Sequence, residues 1–471
     1  MERLLAALPP VHEVLRDPAF RAASAGLADA FRTRLVRQVV QRERERLRAD
    51  RDAAPDPERV AAGVVQACVR EAEALGRPFP RRVVNGTGVL VHTNLGRAPL
   101  GELIERLDTR ALAGYTDLEW DADTGQRGSR DLALQRRLRL LTGAGGALVV
   151  NNCASALFLA LNTLAAGREV LVSRSELVEI GGSFRVPEIM EASGCRLREV
   201  GTTNRTRLDD FERHAVPGAS VLLKVHQSNF VQRGFVEQVA VEELVALGRR
   251  LGVPVVEDNG SGLLGFGEVA GLAAEPRVEA SLEVGVDVLC CSADKLFGGV
   301  QAGILLGRAE LVEAMRANPL YRVLRLDKVR IALLAGALDF HLSGRAAELP
   351  LWRLFHAELE ELAARVDRLR LPGPETRWAS CRRVPLRGAL GGGSSPETRF
   401  ESLGLELRHR DLSAEGLKRS FAARAVPIVG YVQRDRFQLD FRTLFPHDLD
   451  DLQQALDELG GPAPPEAGRC G

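Results

Sequence analysis

Val286-Asp287-Val288-Leu289-Cys290-Cys291-Ser292-Ala293-Asp294-Lys295-Leu296-Phe297-Gly298-Gly299 begins as an apolar strand and ends in a lysine followed by two glycines. Six more short apolar runs accompany it, at 147–150, 169–172, 196–200, 221–225, 253–256 and 304–306. Helical patterns, such as 154–165 and 241–251, lie between most of them. Continuous apolar strands separated by helices predict an α/β fold whose seven-stranded, mainly parallel sheet is covered on both faces. In such sheets ligands sit at the carboxyl ends of the strands, so the residues just after each strand become the candidates.

Three strand ends carry chemistry. Asn151-Asn152-Cys153-Ala154-Ser155-Ala156 joins a strand to an amphipathic helix, and its small residues let backbone N–H groups approach a phosphate. Its plainer reading is a helix capped by asparagine. Asp258 follows a second strand and precedes Asn259-Gly260-Ser261-Gly262, where it suits a cation or a protonated ring nitrogen, or equally a turn cap. Lys295 is the third. A shielded amine there can lose its proton near neutral pH and form an imine, although a lysine bordering a turn is common. The chain has only four lysines. Lys224 lies inside an apolar strand, and Lys328 and Lys418 lie on helical patterns with charged neighbours, so Lys295 is the best suited. Phosphate nest, acid and lysine in this order narrow the chemistry to pyridoxal phosphate.

The flanking regions differ from this core. With 471 residues the chain is long enough for two or three domains. Residues 1–80 show a helical pattern without strands. Leu35, Val36, Val39, Val40 and Leu47 share one helical face, set among Arg32, Arg34, Arg37, Arg42, Arg44, Arg46 and Arg48. That face is either a solvated surface with intrahelical ion pairs or a surface for phosphates. The expected divisions are a helical domain over 1–80, a large domain over 81–335 and a smaller α+β domain over 336–460. A Pro- and Gly-rich tail over 461–471 is expected to be disordered. Gly391-Gly392-Gly393-Ser394-Ser395 reads as a loop, 437–441 as a strand and 448–459 as a closing helix.

Composition sets the remaining limits. No stretch approaches the roughly 20 apolar residues of a membrane span, and the start of the chain is too short and too charged for a secretory signal. The seven cysteines form no C-x-x-C pair, so neither a disulfide framework nor a metal site is expected, and the cytoplasm is the natural compartment. A formal net charge of zero argues against non-specific coating of nucleic acid.

Longer motifs extend the argument. Asn85-Gly86-Thr87-Gly88-Val89-Leu90-Val91-His92-Thr93-Asn94-Leu95-Gly96-Arg97-Ala98-Pro99 resembles a signature of the bacterial selenocysteine synthase family, the L-seryl-tRNA(Sec) selenium transferases. So do Glu176-Leu177-Val178-Glu179-Ile180-Gly181-Gly182, Val200-Gly201-Thr202-Thr203-Asn204-Arg205-Thr206 and Lys224-Val225-His226-Gln227-Ser228-Asn229-Phe230. The lysine segment with Val300-Gln301-Ala302-Gly303, the run from Asn318 to Lys328, and Asp440-Phe441-Arg442-Thr443 continue the likeness over nearly the whole chain. Three positions depart from the family pattern: Ser175, Asn259 and Val300 stand where a glycine, an apolar residue and a proline are usual.

The resemblance implies pyridoxal-phosphate fold type I, with Lys295 as the Schiff-base lysine and Asp258 as the partner of the ring nitrogen. It places the cofactor phosphate on Cys153, Ala154 and Ser155, His226 near the ring, and the selenium donor selenophosphate on Arg97, Arg322 and Arg325. Guanidinium forks suit such an oxyanion better than ammonium groups. The implied reaction converts seryl-tRNA(Sec) to selenocysteinyl-tRNA(Sec) by removal of the α-proton, loss of the serine hydroxyl and addition of selenium. The helical N-terminal domain would bind the tRNA, and the chain would assemble into a large ring-shaped homo-oligomer. The alternative is a related lyase or aminotransferase acting on a free amino acid, since a fold does not fix its function.

Overall fold

The apolar runs form one sheet. Its strands are β1 (Gly146–Val150), β2 (Glu169–Ser173), β3 (Arg196–Val200), β4 (Ser220–Val225), β5 (Val255–Gly260), β6 (Val288–Ser292) and β7 (Gly303–Gly307). Their spatial order is β1-β7-β6-β5-β4-β2-β3, and β7 alone runs antiparallel to its neighbours. This is the arrangement of pyridoxal-phosphate fold type I. The computed structural model describes residues 2–49, 56–180, 184–218, 220–265, 271–373 and 375–461. The expected disordered tail lies outside the described residues from 462 onward, as do Gly181 and Gly182 of one quoted motif.

Successive side chains of a strand point to opposite faces, and here both faces are apolar. Leu148, Val150, Val172, Leu223 and Val256 pack with α6 (Cys153–Ala165) through Ala156, Leu157 and Ala160. Val149, Leu171, Leu222, Leu289 and Ile304 belong to the other cluster. After α7 (Pro319–Leu324), helix α8 (Lys328–Leu342) supplies Leu334, Ala337 and Leu338 to that second cluster, which continues to Leu349, Leu351 and Leu354. The large core thus runs past residue 335 and also takes in Leu390.

The C-terminal sheet is antiparallel, with strands β8 (Trp378–Ala389), β9 (Arg399–His409), β10 (Tyr431–Gln433) and β11 (Arg436–Asp440) in the order β8-β9-β11-β10. Helices α9 (Leu359–Asp367), α10 (Ala414–Ala422) and α11 (Asp448–Gly460) cover it. Val84–Asn85 pairs in parallel with Ile428–Val429, so this small domain also draws on residues far upstream. Buried Arg442 fastens it. One guanidinium nitrogen donates to the carbonyls of Leu354, Phe355 and Ala357 at 3.1, 2.9 and 2.8 Å, and the other to that of Glu401.

Chain contacts separate Met1–Arg82 from Val83–Gly471. In the first unit, helices run over Glu2–Ala6, Val11–Arg16, Pro18–Ala23, Asp29–Ala49 and Pro57–Gly76. The third begins behind Asp17, whose carboxylate accepts from Phe20 N, and the last behind Asp56 with Pro57 in its first turn. The long fourth helix buries Leu35, Val36, Val39, Val40 and Leu47, the expected stripe, against Phe20, Val60, Val64 and Cys68. Among the described residues, no helix is long and apolar enough to cross a membrane.

His341 of α8 braces the segment after Lys295. Its Nε2 lies 2.9 Å from the Phe297 carbonyl oxygen, which can only accept, so Nε2 carries the proton. Burial pulls this ring down to about 4 from an ordinary 6.5. The folded value is the lower one, so the unfolded chain binds more protons between the two values. Stability is therefore full above pH ~6.5 and falls as pH drops towards ~4. At pH 5 the loss is about 2 kcal/mol. Denaturant unfolding at pH 7.5 and pH 5 should show this extra loss in the wild type and not in His341→Gln, which keeps an N–H donor; equal losses in both would contradict it.

Candidate active site

Lys295, Asp258, Cys153, Ala154, His226 and Arg97 line one cavity of about 240 Å³ at the carboxyl ends of the strands. Strand register brings them together. Val225 stands opposite Asp258 and Asp258 opposite Cys290, so His226, Asp258 and the segment after β6 end at one level. Lys295 is buried, and its Nζ donates to the Gly393 carbonyl at 3.4 Å, a long contact. Of the other lysines, Lys224 donates to Glu176 Oε1 at 2.6 Å and to the Val239 carbonyl at 2.8 Å. Lys328 is held by the Leu112 and Gly114 carbonyls, and Lys418 lies beside Glu415 on α10. Lys295 alone of the four lines the cavity.

Asp258 Oδ1 accepts from the Cys153 thiol at 3.3 Å. Burial pushes the Asp258 carboxyl up, and the Cys153 hydrogen bond and the charge of Lys295 only partly oppose this. Burial likewise raises the Cys153 thiol, with the Asp258 charge adding to it, so Cys153 stays a neutral donor. A carboxyl in this position gains most from a cation brought by a ligand.

The start of α6 carries the asparagine cap read from the sequence. Asn152 Oδ1 accepts from Ser155 N at 2.8 Å, so the cap is made and the Ser155 amide is used by it. Among the described residues the Cys153 and Ala154 amides have no acceptor, and both residues line the cavity at the positive end of a 13-residue helix. Gly303 makes room for this turn, since a Cβ there would come 2.0 Å from the Asn152 carbonyl oxygen. Ser155 lines an adjoining apolar groove and not the cavity itself.

The three arginines separate. Arg97 lines the cavity, has a left-handed backbone (φ 63°) and pairs with Asp294 at 2.8 Å. Arg325 pairs with Glu119 at 3.2 Å, a carboxylate also held by Arg130, and does not line the cavity. Arg322 is exposed on α7 and forms no ion pair among the described residues. His226 lies with its Nε2 3.2 Å from Glu275 Oε1.

Sequence reasoning missed Gly393, Glu275 and Ser228. Ser228 stood inside a quoted motif, and the glycine run around Gly393 signals a close approach of backbone. Isolated between Ala274 and Pro276, Glu275 carries no signal at all. The departures fit locally. Ser175 bonds to Ser173 Oγ at 2.8 Å, Asn259 Oδ1 accepts from Gly262 N at 3.1 Å, and Val300 packs in the large core.

Residues 83–445 match a family described as L-seryl-tRNA selenium transferase. An L-seryl-tRNA(Sec) selenium transferase of Moorella thermoacetica is 43% identical over 457 residues, 96% of each chain. The chain belongs to the L-seryl-tRNA selenium transferase family. The selenium transferases of Aquifex aeolicus (40% identical, 84% of this chain and 88% of that one) and Geobacter sulfurreducens (45%, 80% and 83%) are similar over most of their lengths. Among solved structures, a D-glucosaminate-6-phosphate ammonia-lyase superposes with a TM-score of 0.57 at 16% identity, covering 82% of this chain and 97% of that one. That likeness concerns the fold.

Proposed function

We propose that the chain is a pyridoxal-phosphate enzyme that converts L-seryl-tRNA(Sec) to L-selenocysteinyl-tRNA(Sec), with selenophosphate as the selenium donor. The observation that carries this reading is the meeting of Lys295, Asp258 and the free amides of Cys153 and Ala154 around one cavity. These groups fit the cofactor part by part. Lys295 would hold it covalently, Asp258 would face its ring nitrogen, and the start of α6 from Cys153 to Ser155 would take its phosphate, with His226 assigned to the ring. When bound, the cofactor supplies an electron sink for negative charge on the seryl α-carbon.

The protein's own groups do the rest. Lys295 Nζ takes the α-proton and later returns it, a role its burial suits by excluding water. The Gly393 carbonyl accepts a long hydrogen bond from Nζ, at 3.4 Å. Asp258 gains from a protonated ring nitrogen the cation that its buried carboxyl lacks. Arg97, Arg322 and Arg325 are assigned to the donor, and the arginine-bearing face of the first unit to the tRNA backbone. A ring-shaped homo-oligomer acting in the cytoplasm completes the proposal.

Visible absorbance tests the whole reading. A Schiff-base band should appear after reconstitution and change on adding seryl-tRNA(Sec), but not with seryl-tRNA(Ser) or free serine. A response to free serine instead would make the chain an ordinary amino-acid enzyme, and no band at all would remove the cofactor.

A further inference from the structure

The cavity has a second carboxylate neighbour that the proposed reaction leaves unused. Glu275 is buried, 5% exposed, on the stretch that follows β5. Its Oε2 accepts from the backbone N–H of Ser395 at 3.1 Å, in the turn between β8 and β9 that carries Gly393. Its Oε1 lies 3.2 Å from His226 Nε2, out of line for a full hydrogen bond, and among the described residues neither atom has another partner. A buried carboxylate oxygen without a donor is costly, and a modest ring rotation of His226 would supply one. The His226 main chain cannot move with the ring, because its N–H donates to the Asp258 carbonyl at 2.9 Å.

The turn held on the other side is tightly specified. Ser395 is left-handed (φ 32°) although it is not glycine, and Ser394 Oγ donates to the Gly391 carbonyl at 3.0 Å. A Cβ on Gly393 would come 2.5 Å from Lys295 Nζ, so the backbone itself covers the lysine. The other charged groups that act on or face His226 are Glu176, Glu257, Asp258 and Lys295. Glu176 is occupied by Lys224, Asp258 by Cys153, and Glu257 points to the opposite face of β5 from Asp258. Glu275 is the carboxylate with an oxygen to offer.

We propose that Glu275 is a positioning residue that ties the His226 ring to the turn over Lys295, so that the cover on the lysine depends on how His226 is held. This rests on the cavity being the cofactor site. Hydrogen exchange of the 391–398 amides in the cofactor-loaded full chain tests it without any turnover. His226→Ala, which removes the donor, should speed exchange there at least about tenfold, as expected for loss of one charge-assisted hydrogen bond. His226→Gln keeps an N–H donor and should stay within about threefold of wild type. In a Glu275→Ala background, where the turn is already released, His226→Ala should add nothing. Equal exchange in His226→Ala and wild type, an equal rise in both His226 variants, or additive effects in the double variant would each overturn the proposal. Borohydride reduction of the same samples reads the cofactor separately: no adduct on Lys295 in the wild type sinks the cofactor reading and leaves the exchange cycle to be judged alone.

Discussion

Lys295→Ala abolishes the borohydride-reducible adduct and lowers turnover by at least about 10³-fold, because one side chain serves as both anchor and proton carrier. The structure explains why no other amine takes over. Lys224 is held by Glu176 and the Val239 carbonyl, and freeing it would leave a buried carboxylate uncompensated. Lys328 is clamped by two carbonyls. Reduction followed by peptide mass mapping is the check: an adduct in Lys295→Ala at the wild-type level, on any lysine, would displace Lys295 from its role. The variant should fold normally, since among the described residues the Lys295 side chain makes only the long hydrogen bond to Gly393.

The second large effect concerns tRNA. Deleting residues 1–82, which removes one compact unit whole, should weaken seryl-tRNA(Sec) binding on the order of 10²-fold or more, several phosphate contacts being lost together. Cofactor binding should be unchanged, because every residue assigned to it lies in the other unit. Arg34, Arg37 and Arg42 line one groove on the long helix together with Gln38 and Gln41; Arg42 pairs with Glu71 and Arg34 lies over the Phe31 ring, but among the described residues neither Arg34 nor Arg37 has a carboxylate partner. Replacing Arg34 and Arg37 with glutamine should lower the salt dependence of binding by about one unit of slope each. Unchanged tRNA affinity in the deletion would assign recognition to the second unit instead.

Six of the seven central strands were legible because a sheet buried on both faces needs apolar runs, and runs such as Val221, Leu222 and Leu223 are visible without context; the edge strand β3, Arg196-Leu197-Arg198-Glu199-Val200, is largely exposed. The long hairpin of β8 and β9 was not legible. Its first strand exposes Arg382, Arg383 and Arg387 and contains Pro385, so the stretch reads as polar and irregular. The same distinction holds for the site. Lys295 and the start of α6 follow strands, and Asp258 lies near the end of one, so they could be found by position, whereas Glu275 and Gly393 reach His226 and Lys295 only through tertiary packing. Arg322 and Arg325 share a quoted motif with each other but not a cavity with Arg97, because Arg97 is drawn inward by Asp294 and Arg325 is held outside by Glu119.

The two ends of the second unit are stitched together around this cavity. Thr443 Oγ1 donates to the Asn85 carbonyl at 2.5 Å, Val91 N donates to the Leu390 carbonyl at 2.7 Å, and the turn after β8 supplies the backbone over Lys295. On the ribosome, which emits the chain from the amino end, the lysine is therefore made about a hundred residues before its cover, and Asn85 waits still longer for Thr443. A nascent chain halted at residue 380 would have every residue assigned to the cofactor and no roof over them. Secure capture of the cofactor is thus an event of the finished polypeptide, and the last segments synthesised decide when it happens.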